Sequence, residues 1–402
     1  MGKKIVLGVT GGIAAYKACG LASLLVKNGY EVQPVMTKAG ATMVGPASLA
    51  AITGKAVPES EFDPDFVPII PHIEFARFAD LVVVAPATAN FLAKAAYGLA
   101  DDLLSSLLLP SRVPLLLAPA MNPDMWQHPT VQANMAILKE RGAHVVGPAS
   151  GRTACGEEGT GRMVEPSEIF EAIADILTPK DLLGIKIVVS AGPTQEYIDP
   201  VRYITNHSSG RMGIAIARQA RRRGARVVLV MGPTHLPAPY GVEAIPVVTV
   251  EEMQAVVERA GEDATAIIMA AAVGDFKARD INQHKSKKIG GSEVITFIPT
   301  PDILAALGKN KKGRILVGFA AETQDLINNA SIKVSKKNLD FIVANDISAP
   351  GSGFATETNQ VSIINAQGQV DRLPLLAKEA VADDILNRVA ALVESRKGGH
   401  AG

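Results

Sequence analysis

Cysteine is nearly missing from this chain of 402 residues: Cys19 and Cys155 are the only two. Two cysteines make no disulfide framework, so a reducing, cytoplasmic setting is expected. Net charge is missing too. Lysine plus arginine, 40, balances aspartate plus glutamate, 40, which argues against a general binder of nucleic acid or of a membrane surface. Long apolar runs are also lacking. The most apolar stretch, residues 103–120, is broken by Ser105, Ser106, Pro110, Ser111, Arg112 and Pro114, too interrupted to span a bilayer. The opening Met1-Gly-Lys-Lys leads straight into a strand and has neither the apolar core nor the small-residue cleavage site of a signal peptide. None of the six tyrosines has a lysine four residues on, which removes the Tyr-x-x-x-Lys pair of a short-chain dehydrogenase.

What is present is 48% hydrophobic residues, enough for sizeable cores, in a length that suits two domains. The pattern predicts an α/β fold with two open parallel-sheet, Rossmann-like domains: residues 1–178, a linker at 179–184, and residues 185–402 with a disordered tail from Arg396. The first half opens as strand, Gly11-Gly12 turn, helix, strand, suited to an anion at a helix N-terminus. It lacks a full G-x-G-x-x-G. Its second strand ends in Thr37 rather than in the acid that grips a nicotinamide ribose, and a hydroxyl there suits a phosphate or ribityl chain. Two later buried strands leave through Ala-Pro-Ala, the first into Thr88-Ala89-Asn90 and the second into Met121-Asn122-Pro123. Their loops are expected side by side on one sheet edge, stiffened by proline. Asn122 is the side chain there that both donates and accepts. His72 opens a short helix. Cys155 lies in a stretch with four glycines, 151–162, beside Arg152, which favours the thiolate and suggests a mobile lid.

The second half repeats the strand, Gly turn, helix, strand order from residue 185. Asn206, Ser208, Ser209 and Gly210 precede a helix as a cap and anion cradle, and Arg218 and Arg221–Arg223 read as a solvated helix face. A buried strand leaves through Val273-Gly274-Asp275, Thr300 is expected to cap the next helix, and Lys285–Lys288 with Lys333, Lys336 and Lys337 are placed to converge on a polyphosphate, with Asp275 near enough to share Mg2+.

The strings H-I-E-F, A-P-A-T-A-N, P-A-M-N-P-D-M-W and A-C-G resemble the homo-oligomeric flavin-containing cysteine decarboxylases. The strings N-H-S-S-G-R-M-G, A-A-V-G-D-F and K-S-K-K resemble phosphopantothenate–cysteine ligases, and their order resembles the bacterial bifunctional coenzyme A biosynthesis enzymes. The resemblance implies FMN contacts at Gly11, Gly12, Thr37, Thr88 and Asn90. It implies an active-site histidine at His72, a substrate-carboxylate amide at Asn122 and a proton-returning thiol at Cys155. In the second half it implies Asn206 in turnover of an acyl-nucleotide intermediate and Lys285 in its formation. Asp275, Pro301, Asp302, Ile303, Leu304, Phe319, Lys333 and Lys337 then surround CTP and its Mg2+. Arg211 stands where the ligases often carry lysine, which keeps the charge but changes the donor geometry.

The implied chemistry joins cysteine to 4′-phosphopantothenate through an acyl-cytidylate, then decarboxylates the product to 4′-phosphopantetheine. The implied assembly is a dodecamer of decarboxylase trimers linked by ligase dimers, with FMN at subunit contacts. A flavin prenyltransferase or a peptide-cysteine decarboxylase would explain the first half alone.

Overall fold

The computed structural model describes residues 2–58, 70–152, 156–285, 294–322, 326–346 and 356–398. The chain divides into two compact units, Met1–Thr178 and Pro179–Gly402. Cys155, Ser286–Lys288 and Thr323 fall outside the described residues.

Unit one runs β1 (Lys4–Val9), α1 (Tyr16–Lys27), β2 (Glu31–Met36), α2 (Lys38–Met43), α3 (Pro46–Thr53), α4 (Pro71–Phe78), β3 (Leu81–Ala87), α5 (Ala89–Tyr97), α6 (Leu103–Leu108), β4 (Leu115–Pro119), α7 (Pro123–Gln127), α8 (Pro129–Glu140), β5 (His144–Val145), β6 (Ala149–Arg152), β7 (Glu158–Arg162) and α9 (Pro166–Leu177). The strands Ile-Val-Leu, Leu-Val-Val-Val and Leu-Leu-Leu are apolar at successive positions, because helices cover both faces of a parallel sheet. Their side chains divide accordingly: Ile5, Leu7 and Val83 go to one core and Val6, Val82 and Val84 to the other. Among the described residues the sheet order is β2-β1-β3-β4-β5, all parallel. The order reverses between β1 and β3, and ligands of such sheets bind at the carboxyl ends of strands at that point. The two Ala-Pro-Ala exits do lie on neighbouring strands, Ala87 opposite Pro119.

Unit two runs β8 (Lys186–Ala191), β9 (Gln195–Tyr197), β10 (Tyr203–Thr205), α10 (Arg211–Arg222), β11 (Arg226–Met231), β12 (Glu243–Pro246), α11 (Val250–Ala260), β13 (Ala266–Met269), β14 (Phe276–Ala278), β15 (Phe297–Pro299), α12 (Ile303–Lys309), β16 (Ile315–Glu322), α13 (Leu326–Lys336), β17 (Phe341–Asp346), β18 (Thr358–Asn359), β19 (Val361–Asn365), β20 (Val370–Arg372), β21 (Leu376–Ala377) and α14 (Lys378–Gly398). The sheet order is β12-β11-β8-β13-β16-β17-β19-β20 among the described residues. It reverses between β8 and β13. It is parallel up to β17, but β19 and β20 add antiparallel, so one edge departs from the all-parallel expectation.

Several local expectations are corrected. The described ends of the glycine-rich stretch, residues 149–152 and 158–162, form an antiparallel pair, β6 with β7, across which the Ser150 and Thr160 hydroxyls meet at 2.8 Å. The stretch after β8 contains the β9–β10 hairpin rather than irregular chain. Arg222 and Arg223 are not a solvated face. Both are buried, and Arg223 pairs with Asp181 and donates to Asn387 Oδ1 at 2.8 Å. That pair and Leu182, fully buried in the second core, place the expected linker inside unit two. Helix α14 continues to Gly398, and Arg396 donates to Gly313 O at 2.6 Å and to Asp340, so the tail is ordered beyond the point expected. Asp302, not Thr300, caps α12, accepting from Ala305 N at 3.0 Å. Thr300 instead donates to Gly274 O at 2.5 Å.

Glu196 ties the hairpin to α11. Its Oε1 accepts from Val250 N at 2.9 Å, and the side chain is buried. Burial pushes its carboxyl above the ordinary value of 4.5, and Glu251 adds to this against the Val250 N–H, Thr194 and Lys277. As pH rises from 4.5 toward the raised folded value, the unfolded chain loses a proton that the folded chain keeps, so this group's contribution to stability falls. Glu196→Gln keeps the acceptor and removes the charge. Its melting temperature relative to wild type should therefore rise between pH 4 and pH 8, by roughly a few degrees; a constant difference across thermal melts would refute this.

Candidate functional site

In unit one the exits of β1, β2, β3 and β4 enclose a cavity of about 950 Å3. Gly11, Gly12, Thr37, Thr88, Asn90 and Asn122 all line it, so six of the sequence-derived residues meet at one place. The first turn is cross-linked to the third strand's exit: Thr10 Oγ1 donates to Pro86 O at 2.7 Å and accepts from Thr88 N at 3.2 Å. Gly11 has no room for a side chain, because a Cβ there would lie 2.3 Å from Ala39 Cβ. Thr37 Oγ1 accepts from Gly40 N at 3.1 Å, which caps α2 and leaves its hydroxyl proton to donate.

Two of the cationic side chains that line this cavity, Lys17 and Lys94, are already engaged. Lys17 donates to Glu165 at 2.7 Å and to Met163 O at 3.2 Å. Lys94 lies 2.6 Å from Asp101 and 2.9 Å from Asp102. Burial opposes the Lys94 charge, but the two carboxylates outweigh it and hold the ammonium above the usual lysine range. An anion near the Gly turn would meet backbone N–H groups and threonine hydroxyls, with Lys38 also lining the cavity beside Thr37.

Asn122 is oriented by its own helix. Its Oδ1 accepts from Asp124 N at 2.8 Å, capping α7, and its Nδ2 donates to the Glu157 carboxylate. The acceptor end is thus used locally and the donor end faces a carboxylate.

His72, second residue of α4, is half-buried and is not among the lining residues of this cavity. Sequence reasoning did not single out Lys17, Lys94 or Met163; their only sequence signal is position just after a strand or inside a helix.

In unit two a cavity of about 690 Å3 opens at the carboxyl ends of β13, β16 and β17. Asn206, Asp275, Pro301, Asp302, Ile303, Leu304, Phe319, Lys333 and Lys337 all line it. Asn206 Nδ2 donates to Val273 O at 2.8 Å. Gly274 N donates to Thr194 Oγ1 at 2.9 Å, which fixes the neighbouring exit. The expected side-chain cap of α10 is absent. Gly210 occupies that position at φ 75°, the left-handed region where glycine costs least, and Ser208 Oγ accepts from Gly210 N at 3.3 Å. Lys337 lies 2.8 Å from Asp302. Burial pushes the Asp302 carboxyl up, but Lys337 and the Ala305 N–H outweigh it and leave it below its ordinary value.

Of the three lysine groups, Lys333 and Lys337 line the cavity; of the Lys285–Lys288 group only Lys285 is described, and it is exposed and not among the lining residues. Asn345, Asn359 and Lys378, all buried, also line it. They come from the last part of the chain, where sequence reasoning marked no motif. No cluster of three or more metal-ligating side chains occurs among the described residues, and among them no helix is long and apolar enough to cross a membrane.

Comparison with known proteins places both cavities in a family. The Flavoprotein family matches residues 1–178. The family described as DNA/pantothenate metabolism flavoprotein C-terminal domain matches residues 182–393. The chain is 43% identical over 391 residues to the coenzyme A biosynthesis bifunctional protein CoaBC of Vibrio cholerae, covering 96% of this chain and 98% of that one. It is 43% identical over 394 residues to the Bacillus subtilis protein of that name, with 97% of each chain covered. It is 42% identical over 400 residues to the Escherichia coli one, with 98% of each covered. Carrying both matched halves in one chain, at this identity along nearly its whole length, the chain belongs to the CoaBC family of bifunctional coenzyme A biosynthesis proteins.

Proposed function

We propose that the two cavities perform successive steps of one conversion, each half acting at its own switch point. The chain is a bifunctional enzyme of coenzyme A biosynthesis, a ligase and a decarboxylase. The ligase half joins cysteine to 4′-phosphopantothenate with CTP, and the decarboxylase half converts 4′-phosphopantothenoylcysteine to 4′-phosphopantetheine. The observation that carries this reading is the gathering of nine sequence-derived residues at one cavity and six at the other.

The first cavity fits FMN. Its volume admits a flavin nucleotide, its Gly turn is closed to side chains at Gly11, and its walls are small at Gly12, Ala14 and Ala89, so that a flat ring can approach. Gly11, Gly12, Thr37, Thr88 and Asn90 would hold it. Bound FMN supplies a hydride acceptor and donor. The chain's own residues do the rest: the Asn122 Nδ2 donor takes the substrate carboxylate, displacing Glu157, and Cys155 returns a proton to carbon. His72 would reach the site from a neighbouring copy, consistent with homo-oligomeric trimers and a dodecamer.

In the ligase half the substrate carboxylate attacks the α-phosphorus of CTP, pyrophosphate leaves, the cysteine amine attacks the acyl-cytidylate and CMP leaves. Lys333 and Lys337 stabilise the phosphate charge, Lys285 joins on nucleotide binding, and Asn206 steadies the acyl group. Mg2+ would arrive with the nucleotide phosphates, beside Asp275. A cytoplasmic location suits these substrates.

Cys155→Ser tests the division of labour. It should leave CMP release at the wild-type rate and abolish 4′-phosphopantetheine formation while the purified protein stays yellow. Normal product formation would remove Cys155 from the proton-returning role.

A further inference from the structure

Thr194 is wholly buried between the exits of β8 and β13. It is not among the residues that line the ligase cavity, yet its bonds run to that cavity's wall. Its backbone N–H donates to Ala272 O at 3.3 Å, and Ala272 N donates to Gly192 O at 2.9 Å, so the two exits are paired. Its carbonyl accepts from Thr205 Oγ1 at 2.7 Å, which ties in the residue before Asn206. Its Oγ1 accepts from Gly274 N at 2.9 Å.

That last bond occupies an oxygen lone pair and leaves the hydroxyl proton to donate. The Glu196 carboxyl accepts it in a hydrogen bond. Glu196 is itself fixed, because it is buried and accepts from Val250 N at the start of α11. A continuous line of hydrogen bonds therefore runs from α11 through Glu196 and Thr194 to the Gly274 amide. On the other side of that residue Thr300 Oγ1 donates to Gly274 O at 2.5 Å. Gly274 is also pressed against the same two side chains: a Cβ there would lie 3.3 Å from Thr194 Oγ1 and 3.6 Å from Glu196 Cγ. The segment held in this way carries two groups of the ligase site. Val273 O accepts from Asn206 Nδ2 at 2.8 Å, and Asp275 follows Gly274. Asn206, Val273, Gly274 and Asp275 all line the cavity. A displacement of about 1 Å in such a wall costs on the order of 100-fold in rate, even when it starts away from the reacting atoms.

We propose that Thr194, backed by Glu196, is a positioning residue of the ligase half: it sets the Val273–Asp275 wall and, through Val273 O, the Asn206 amide for acyl transfer. This rests on the ligase reading above. Thr194 acts through Gly274 from behind the wall, so its loss slows turnover more than it weakens the binding of either substrate.

The test uses the full chain. Thr194→Val keeps the shape of the side chain and removes both hydroxyl bonds. It should lower kcat for CMP release on the order of 10- to 100-fold. KM for 4′-phosphopantothenate and for CTP should stay within about threefold of wild type. Thr194→Ser retains the hydroxyl and should restore most of the rate, and decarboxylation of supplied 4′-phosphopantothenoylcysteine should be unchanged in both. A buried Gly274 N–H without its partner lowers the melting temperature by about 10 °C or less, so rates are compared well below both midpoints. Should Thr194→Val not fold, Thr194→Cys keeps a weak acceptor in the same place and should show a smaller kcat loss, again with both KM values kept. Wild-type kcat in the Val and Cys variants, KM increases that match the kcat losses, or a Ser variant no faster than Val overturns the proposal. CMP release by the wild-type protein reports separately on the ligase reading. Amide exchange of the peptide spanning residues 270–276, followed by mass spectrometry, reads the wall whether or not turnover occurs. Faster exchange in Thr194→Val than in wild type and Thr194→Ser supports the proposal, and equal exchange overturns it.

Discussion

Gly11→Val yields a colourless protein with no decarboxylase activity and intact CTP-dependent ligation. The cause is local. A Cβ at Gly11 lies 2.3 Å from Ala39 Cβ and 3.0 Å from the Ala39 carbonyl carbon, so either the first turn or α2 must shift. Overpacking of that kind costs about 1–3 kcal/mol and moves backbone. Here the moved backbone carries the Gly turn, Thr37 and Lys38, which line the cavity, while Lys17 and Lys94 are engaged elsewhere. Gly12→Ala is the control. Its Cβ meets Thr88 Cγ2 at 3.5 Å, an ordinary contact, so the fold survives and any flavin lost reflects the methyl group facing the cavity. Flavin absorbance per chain after gel filtration measures both. Wild-type flavin content in Gly11→Val would remove the Gly turn from the flavin site.

Asn206→Asp lowers ligation by on the order of 100-fold or more and spares decarboxylation of supplied 4′-phosphopantothenoylcysteine. The wild-type amide donates to Val273 O at 2.8 Å. An ionised aspartate has no proton to donate there, and it turns a carboxylate toward a carbonyl oxygen in the cavity proposed to accept a carboxylate substrate and a polyphosphate. Two effects add: the exit of β13 loses its tie to the Asn206 loop, and like charge opposes the acid. The rate of CMP release, followed beside a thermal melt, separates them from unfolding. A loss under tenfold would show that Asn206 acts only as a tether.

The parts of this protein legible in its sequence are those where one local pattern decides the outcome. Apolar strands followed by Gly or Ala-Pro-Ala exits could only be buried parallel strands with ligand-facing ends, and their exits do meet. Arg223 was misread because helical position alone does not show that Asp181, forty-two residues earlier, waits to pair with it. Thr300 lost the cap to Asp302 because Gly274 O, brought by another strand, claimed its hydroxyl. Lys378 and Asn359 were invisible for the same reason. They reach the cavity through β18, β21 and the start of α14, elements of a few residues whose pairing is long-range. His72 and Lys285 show the converse: motifs identify them, yet neither is among the described residues that line the two cavities.

The most direct test of the whole account is a single incubation of the purified full chain with 4′-phosphopantothenate, cysteine, CTP and Mg2+. The account predicts a yellow protein that releases CMP, pyrophosphate and CO2 in equal amounts and accumulates 4′-phosphopantetheine. Absence of both CMP and 4′-phosphopantetheine would contradict it.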